Sequence, residues 1–172
     1  MRMRLPDLNA LREDAAAQAF LRCCGSSRWA RAMAAARPFA SLESLHRAAD
    51  TQWSMLQPPD VLEAFAAHPK IGETAADAAA GTERWSADEQ SGARSATDEL
   101  RQRLAAANRA YESRFGYIFI ICASGKTAEE MLASLESRLW HTPEEELAIA
   151  AAEQRQITRL RLGKLLDAPH TT

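Results

Sequence analysis

Apolar residues recur along most of the chain with the spacing of an amphipathic helix. In the stretch from Asn9 to Arg22, Leu11, Ala15 and Ala19 form one such apolar stripe, and polar residues occupy most of the positions between them. Short breaks containing Gly, Ser or Pro separate similar stripes further along. The pattern predicts an all-α fold, a single-domain bundle of about seven to eight helices.

Capping residues mark where several of these helices begin. Ser26 and Ser41 precede the second and third predicted helices, and Thr142 precedes a proline and an acidic first turn in the last one. Capping boxes, in which Ser, Thr or Asp is followed three residues later by Glu, predict three further starts. The Ser86 box predicts a long helix to about Ser113. The boxes are Asp60 with Glu63, Ser86 with Glu89, and Thr127 with Glu130.

One segment departs from the helical pattern. "GYIFIICA" (116–123) combines aromatic and β-branched residues in a short run, which is typical of a strand. It is either a buried extended segment between helices or part of a helix. Gly125-Lys126-Thr127 follows, but a phosphate-binding loop needs a glycine five residues before Gly-Lys, and Ile120 occupies that position. We therefore interpret Gly125 as a turn residue and Thr127 as a helix cap.

Composition and charge exclude several classes of protein. The chain has 172 residues and a formal net charge of -2, so no basic face for nucleic acid is indicated. Its three cysteines form no C-x-x-C pair and are expected to be reduced thiols. We find no signal peptide, no apolar run long enough for a membrane span and no peroxisomal address. We therefore expect a cytoplasmic protein that contacts neither membrane nor nucleic acid.

His68 is the first candidate for chemistry. It lies at the C-terminal end of a predicted helix, next to Pro69. The partial negative charge of a helix C-terminus favours imidazolium, which suits a general acid near neutral pH. The alternative is a histidine that only caps the last carbonyls of its helix.

Further candidates are Glu89 and an arginine of the last helix. Glu89 and Gln90 lie on a predicted first helical turn, where a small polar ligand can bind, although Glu89 has the alternative role of completing a capping box. Arg159 or Arg161 can face inward and bind a carboxylate, or both are solvated. The other histidines have no ligand spacing to a carboxylate, so we predict no metal site.

These residues fall within five blocks that resemble the signature of the OHCU decarboxylase family (2-oxo-4-hydroxy-4-carboxy-5-ureidoimidazoline decarboxylase). The blocks appear in the expected order and extend through most of the chain. They are "RPF" (37–39), "HPKIG" (68–72), "WSADEQSGA" (85–93), "YESRFGYIFIICASGKTAEEML" (111–132) and "EQRQITRLRL" (153–162).

The resemblance implies an all-α homodimer without a cofactor that converts OHCU to (S)-allantoin with loss of CO2. It implies that His68 donates the proton and that Glu89 is its partner carboxylate. It also makes the extended segment a pocket wall whose backbone groups bind substrate. The substrate contacts that it implies are Pro69, Ser86, Ala87, Asp88, Glu89, Gln90, Phe119, Ile120, Ile121, Cys122, Ala123 and Arg161.

Two other classes of function remain as alternatives. A nucleotide-dependent phosphotransferase would use Gly125-Lys126-Thr127, against which the missing glycine argues. A non-catalytic helical module that binds a small ligand is compatible with the Ala-rich amphipathic helices. The stretch 73–82, rich in Ala and containing Gly81, is predicted to be a loop and a possible flap over the site.

Overall fold

The computed structural model describes residues 3–72, 85 and 88–166, and within these ranges the chain contains helices and no strand. The all-α prediction is thus confirmed, with eight α-helices in the described part of the chain. None of these helices is long and apolar enough to cross a membrane. The helices are α1 (Leu5–Ala10), α2 (Glu13–Cys23), α3 (Ser27–Ala35), α4 (Leu42–Ser54), α5 (Pro58–Ala66), α6 (Asp98–Phe115), α7 (Ala128–Arg138) and α8 (Pro143–Leu166), with a short 3-10 helix at Ser91–Ser95.

Several helices begin where the capping pattern predicted. The side chains of Ser26 and Ser41 accept hydrogen bonds from Trp29 N and Ser44 N at the starts of α3 and α4. At the start of α7, Thr127 Oγ1 accepts from Glu130 N at 3.2 Å, and the Glu130 carboxylate accepts from Thr127 N at 2.9 Å. This reciprocal box satisfies backbone donors that the first helical turn leaves unpaired.

One predicted capping box and the extent of one predicted helix were wrong. Helix α5 begins two residues earlier than Asp60, at Pro58, and Glu63 accepts hydrogen bonds from Ser27 N and Oγ instead. Ser86 itself lies outside the described residues, but the long helix predicted to about Ser113 is wrong, because the chain forms a 3-10 helix at Ser91–Ser95 and α6 begins only at Asp98. Thr97, which the sequence analysis did not single out, caps it by accepting from Leu100 N.

The N-terminal stripe also differs from its prediction. Two helices, α1 and α2, replace the single helix expected from residue 9, with the break at Leu11 and Arg12. The buried face of α2 carries Ala16, Ala19, Phe20 and Cys23. These residues follow the i, i+3, i+4, i+7 spacing of a helical face, and of the predicted Leu11, Ala15 and Ala19 only Ala19 lies on it.

The chain divides into two compact units, one formed by residues 1–64 and 155–172 and the other by Phe65–Gln154. In the first unit, Phe20 packs edge-on against Trp29 and Phe39, with ring centroids 6.0 and 6.2 Å apart. The Arg37 guanidinium donates to the carbonyl oxygens of Leu8 and Leu11 at 2.9 and 2.6 Å. A cation at the C-terminus of α1 is favourable, because the last carbonyls of a helix carry partial negative charge.

The second unit is built around Tyr111 of α6, which is fully buried. Its ring contacts those of Phe115, Tyr117 and Phe119, and edge-to-face aromatic contacts of this kind add to the energy of burial. Gly116, at φ 82°, ends α6 in the left-handed conformation that glycine adopts without strain. The chain then enters the extended segment.

Gly92 provides a close backbone approach within the second unit. A Cβ atom at this position would lie 2.0 Å from the carbonyl oxygen of Lys126. That atom belongs to the backbone just before the cap of α7, so it cannot rotate away as a side-chain tip would. The absence of a side chain at Gly92 therefore allows the 3-10 helix that follows Glu89 and Gln90 to lie directly against the 123–127 turn.

We predict that Gly92→Ala destabilises the protein by about 1–3 kcal/mol, the range for inserting a carbon atom into a closely packed site. Urea unfolding of the full chain, followed by far-ultraviolet circular dichroism, measures the change. Ser91→Ala is the matched control, because Ser91 is exposed and its replacement should change the free energy of unfolding by less than about 0.5 kcal/mol. Equal midpoints for the two variants would contradict the close approach.

Candidate active site

His68 lies just beyond α5, in the second unit. Its backbone N–H donates to the carbonyl oxygen of Phe65 at 3.2 Å, which closes the last turn of the helix. The helix itself ends at Ala66, shortly before the buried Pro69, in agreement with the prediction that proline terminates it. The imidazole is half-buried, and its Nε2 atom lies 2.7 Å from Oε1 of Gln154. The ring is thus held by a side-chain hydrogen bond.

Glu89 and Gln90 immediately precede the 3-10 helix. Glu89 is only 8% exposed, which is unusual for a glutamate unless it is paired. The Gln90 side-chain oxygen accepts from Gly72 N at 3.1 Å. This hydrogen bond joins the "WSADEQSGA" block to the "HPKIG" block. The Asn108 side chain adds a second anchor by donating to Ile71 O at 3.0 Å.

The segment Phe119–Ala123 is extended and buried, and it belongs to no strand. Side chains replace the missing strand partners at several of its backbone groups. The Ile120 carbonyl accepts from the Arg138 guanidinium at 2.8 Å. The Cys122 N–H donates to Glu153 Oε2 at 2.7 Å, and the Cys122 carbonyl accepts from Lys126 Nζ at 2.9 Å.

These contacts correct part of the pocket-wall hypothesis. The backbone groups of Cys122 and the carbonyl of Ile120 are occupied by protein side chains, so they are not available to a ligand in this conformation. Among the described residues, none accepts a hydrogen bond from the backbone N–H groups of Ile120 and Ile121, although both residues are buried. Buried amides are nearly always paired, and these two are the candidate ligand-facing donors of the segment.

Glu89 lies within electrostatic reach of this segment. Burial raises the pKa of the Cys122 thiol, and the negative charges of Glu153 and Glu89 act in the same direction against the opposing effect of Lys126. Cys122 is therefore a buried, protonated thiol and not a nucleophile, as the sequence indicated. Glu89 thus lies close enough to Cys122 for its charge to act on the thiol, and its role beside the segment stays a prediction.

A network of buried charged side chains contacts the segment through Arg138. The Arg138 Nε atom donates to Glu146 Oε1 at 2.8 Å, and the guanidinium stacks over the Phe119 ring at 4.5 Å. Glu146 also accepts a short hydrogen bond from the Tyr111 hydroxyl and lies 3.0 Å from His141 Nδ1. Its carboxylate is fully buried, so these donors replace the water that it loses.

The remaining predicted site residues are Ser86, Ala87, Asp88 and Arg161. Ser86 and Ala87 lie outside the described residues, as does the predicted loop 73–82, and Asp88 is exposed. Arg161 belongs to the first unit and is 3% exposed, whereas Arg159 is exposed and pairs with Asp50 at 3.0 Å. Of the two arginines, Arg161 is thus the inward-facing one, and its contact with substrate remains a prediction.

Four functional candidates escaped the sequence analysis, namely Arg138, Glu146, Glu153 and Gln154. Glu146 and Gln154 are both fully buried. They stand four residues either side of the buried Ala150 in α8, so they are polar residues on an apolar helical face. That placement is the signal that could have identified them. Arg138 gives the same signal in α7, where it lies three residues beyond the buried Leu135. Glu153 gives none, because its role depends on a contact with distant backbone.

The structure also disfavours a phosphate loop. Gly125 has φ 78° and makes the turn, Thr127 caps α7, and Lys126 Nζ is engaged by the Cys122 carbonyl. Within the described ranges, no group of three or more His, Cys, Asp or Glu residues is arranged to hold a metal ion.

Fold and site together define a helical protein with a half-buried histidine and a buried carboxylate beside an extended backbone segment. The sequence model of OHCU decarboxylase matches residues 9–163, and the chain belongs to the OHCU decarboxylase family.

Relatives of known name agree with this assignment. The chain is 30% identical over 164 residues to 2-oxo-4-hydroxy-4-carboxy-5-ureidoimidazoline decarboxylase of Haloferax volcanii, covering 94% of this chain and 95% of that protein. It is 45% identical over 147 residues to the uric acid degradation bifunctional protein TTL of Arabidopsis thaliana. That match covers 84% of this chain but 45% of the bifunctional protein, so the chain spans less than half of that relative.

Solved structures show the same fold. A crystal structure of OHCU decarboxylase in the presence of (S)-allantoin superposes with a TM-score of 0.77 and 37% identity, covering 87% of this chain and 97% of that one. A crystal structure of (S)-allantoin synthase gives a TM-score of 0.72 at 23% identity, covering 96% of this chain and 55% of that one. The second likeness concerns the fold alone.

We predict that Arg138→Met lowers the free energy of unfolding by about 3–5 kcal/mol, because it leaves the Glu146 carboxylate buried without its cation. Urea unfolding measures the effect. The control is Arg103→Met, which removes an arginine whose pair with Glu136 has a 3.0 Å N–O distance but is about half exposed. That pair should contribute less than about 1 kcal/mol. A loss of similar size in both variants would show that burial of the Arg138 pair has no special cost.

Proposed function

We propose that this chain catalyses the decarboxylation of OHCU to (S)-allantoin, a step of urate degradation. The observation that carries the proposal is the placement of His68 and Glu89. The imidazole is half-buried and oriented by Gln154, and Glu89 is a buried carboxylate within reach of the extended segment. Family membership supports the reaction class, a decarboxylase and therefore a lyase.

The chemistry follows from the substrate. In OHCU the carboxylate is attached to a ring carbon next to a C=N bond, so the electron pair released with CO2 can enter that bond. A proton must then be delivered to one face of the ring to give a single enantiomer. We assign proton delivery to His68 and propose that Glu89 acts with it on the substrate hydroxyl and the proton.

We propose that groups that hold the substrate in position also contribute to the rate enhancement. OHCU is rich in amide-like donors and acceptors, and the amides of Ile120 and Ile121 together with the Gln90 side chain are suited to hold its ring and ureido group. We propose that Arg161 binds an anionic or polar group of the substrate. Groups already in place stabilise developing charge at little reorganisation cost.

The proposal extends to the state of the enzyme. We propose that it works without a metal or organic cofactor, because the substrate ring itself accepts the electrons. We also propose a homodimer in the cytoplasm, as the family resemblance implies. Sedimentation equilibrium tests the dimer directly, and a mass equal to one chain of 18.9 kDa would contradict it.

We predict that His68→Ala lowers the rate of OHCU decarboxylation by at least about 100-fold, within the usual range for loss of general acid–base catalysis. OHCU is generated from urate in the cuvette with the two preceding enzymes, and circular dichroism follows the appearance of (S)-allantoin above the spontaneous decay.

The control for this experiment is His46→Ala, since His46 belongs to the first unit and to no proposed catalytic group. We expect wild-type rates from it. Fast one-handed product from both variants would remove His68 from the chemistry. If the wild-type protein does not accelerate the decay, the enzyme assignment fails and a non-catalytic ligand-binding module becomes the better account.

We predict that extensive treatment with a chelator, followed by gel filtration, leaves the decarboxylation rate of the wild-type protein unchanged. The electron sink lies in the substrate, so no removable group is required. The same assay measures the outcome, with untreated protein as the control. Loss of activity that returns when a divalent metal is added back would contradict cofactor independence.

A further inference from the structure

Gln154 is an unusual residue for its position. It lies in α8, four residues beyond the buried Ala150, and it is 0% exposed. A helix face at this depth is ordinarily filled by an apolar side chain. Burying an amide is unfavourable unless it is hydrogen-bonded, and the described partner of its oxygen is Nε2 of His68, at 2.7 Å.

We propose that Gln154 is a positioning residue that sets the tautomer of His68, so that Nε2 carries a proton donated to Gln154 and Nδ1 is the nitrogen that exchanges a proton with the substrate. This inference rests on the proposed function for its catalytic part. Its structural part, the tautomer, stands on the hydrogen bond alone.

The argument begins with the hydrogen-bonding capacity of the two groups. An amide oxygen accepts hydrogen bonds and cannot donate them. A ring nitrogen facing it at 2.7 Å must therefore carry the hydrogen. In neutral imidazole only one nitrogen is protonated, so Nδ1 is then the basic nitrogen.

The neutrality of Gln154 has a chemical consequence. A carboxylate in the same place would also accept from Nε2–H, but its charge would favour the imidazolium. An amide orients the ring without that charge. Nδ1 of His68 can then take up a proton and deliver it to the substrate, while the negative charge at the site comes from Glu89.

The tautomer can be measured without any enzyme assay. Long-range proton–nitrogen correlation spectra of the uniformly ¹⁵N-labelled full chain distinguish a protonated from a bare ring nitrogen. The spectra are recorded at a pH about two units above the ordinary histidine pKa, and the His68 signals are assigned by their absence from His68→Asn. We expect Nε2–H and a bare Nδ1. The opposite tautomer in the wild-type protein would overturn the assignment, since it requires the amide nitrogen to face the ring.

Two variants test whether Gln154 causes this preference. Gln154→Met keeps the size of the side chain and removes the acceptor, so we expect mixed tautomers. We expect kcat to fall by about 10- to 100-fold, the range found for groups that orient metal-bound histidines, with KM changed by less than about threefold. Gln154→Glu restores an acceptor and should recover the Nε2–H tautomer and part of kcat.

The outcomes separate this inference from the proposed function. An unchanged tautomer and unchanged kcat in Gln154→Met would overturn the positioning role. A KM rise with unchanged kcat would also overturn it, since that result indicates a binding residue. If the wild-type protein shows the Nε2–H tautomer but no OHCU decarboxylation, the proposed function fails and the tautomer assignment survives. If Gln154→Met does not fold, the spectra of the wild-type protein and of Gln154→Glu still test the His68 tautomer.

Discussion

Arg138 and Glu146 form a buried ion pair on which the shape of the extended segment depends. The segment Phe119–Ala123 has neither helical nor strand partners for its backbone, so its polar groups must be satisfied in another way. Arg138 supplies a donor to Ile120 and packs over Phe119. Glu146 holds that guanidinium in turn, together with the Tyr111 hydroxyl. Burying charges costs desolvation energy. The pair contributes by fixing one conformation of a segment that has no strand partner.

Polar side chains from the first part of α8 act in a similar way. Within the second unit, this helix directs Glu146, Glu153 and Gln154 toward backbone or side chains of the candidate site. Each of these residues makes a hydrogen bond that an apolar side chain cannot make. The arrangement holds the imidazole and the extended segment in fixed positions. The proposed mechanism requires this, because it relies on oriented donors and one proton-transferring group.

The parts of the structure that sequence could predict are those set by neighbouring residues. The Thr127 and Glu130 box, the turn at Gly125 and the helix end before Pro69 all depend on contacts within a few positions. The predicted long helix from Ser86 was wrong because a capping pattern does not show where a helix is interrupted. The chain instead forms a 3-10 helix, and the absence of a side chain at Gly92 lets it approach the Lys126 carbonyl.

The site was predicted in part for the same reason. The family blocks single out His68 and Glu89 as candidates, but the partners that support the candidate site come from far along the chain. Gln154 is separated from His68 by 86 positions, and Arg138 reaches Ile120 across a turn and a helix. Contacts of this kind are set by packing, and only polar residues on a buried helical face, such as Glu146 and Gln154, leave a trace in the sequence.

The most direct test of this account is a crystal structure of the chain with (S)-allantoin bound. The account predicts the ligand within hydrogen-bond distance of His68 and of the Ile120 or Ile121 amide, with Glu89 beside it and the Arg138 contact to the segment unchanged. Allantoin bound elsewhere, for example in the cavity of about 300 Å³ lined by Lys70, Arg101 and Arg109, with His68 untouched, would contradict it.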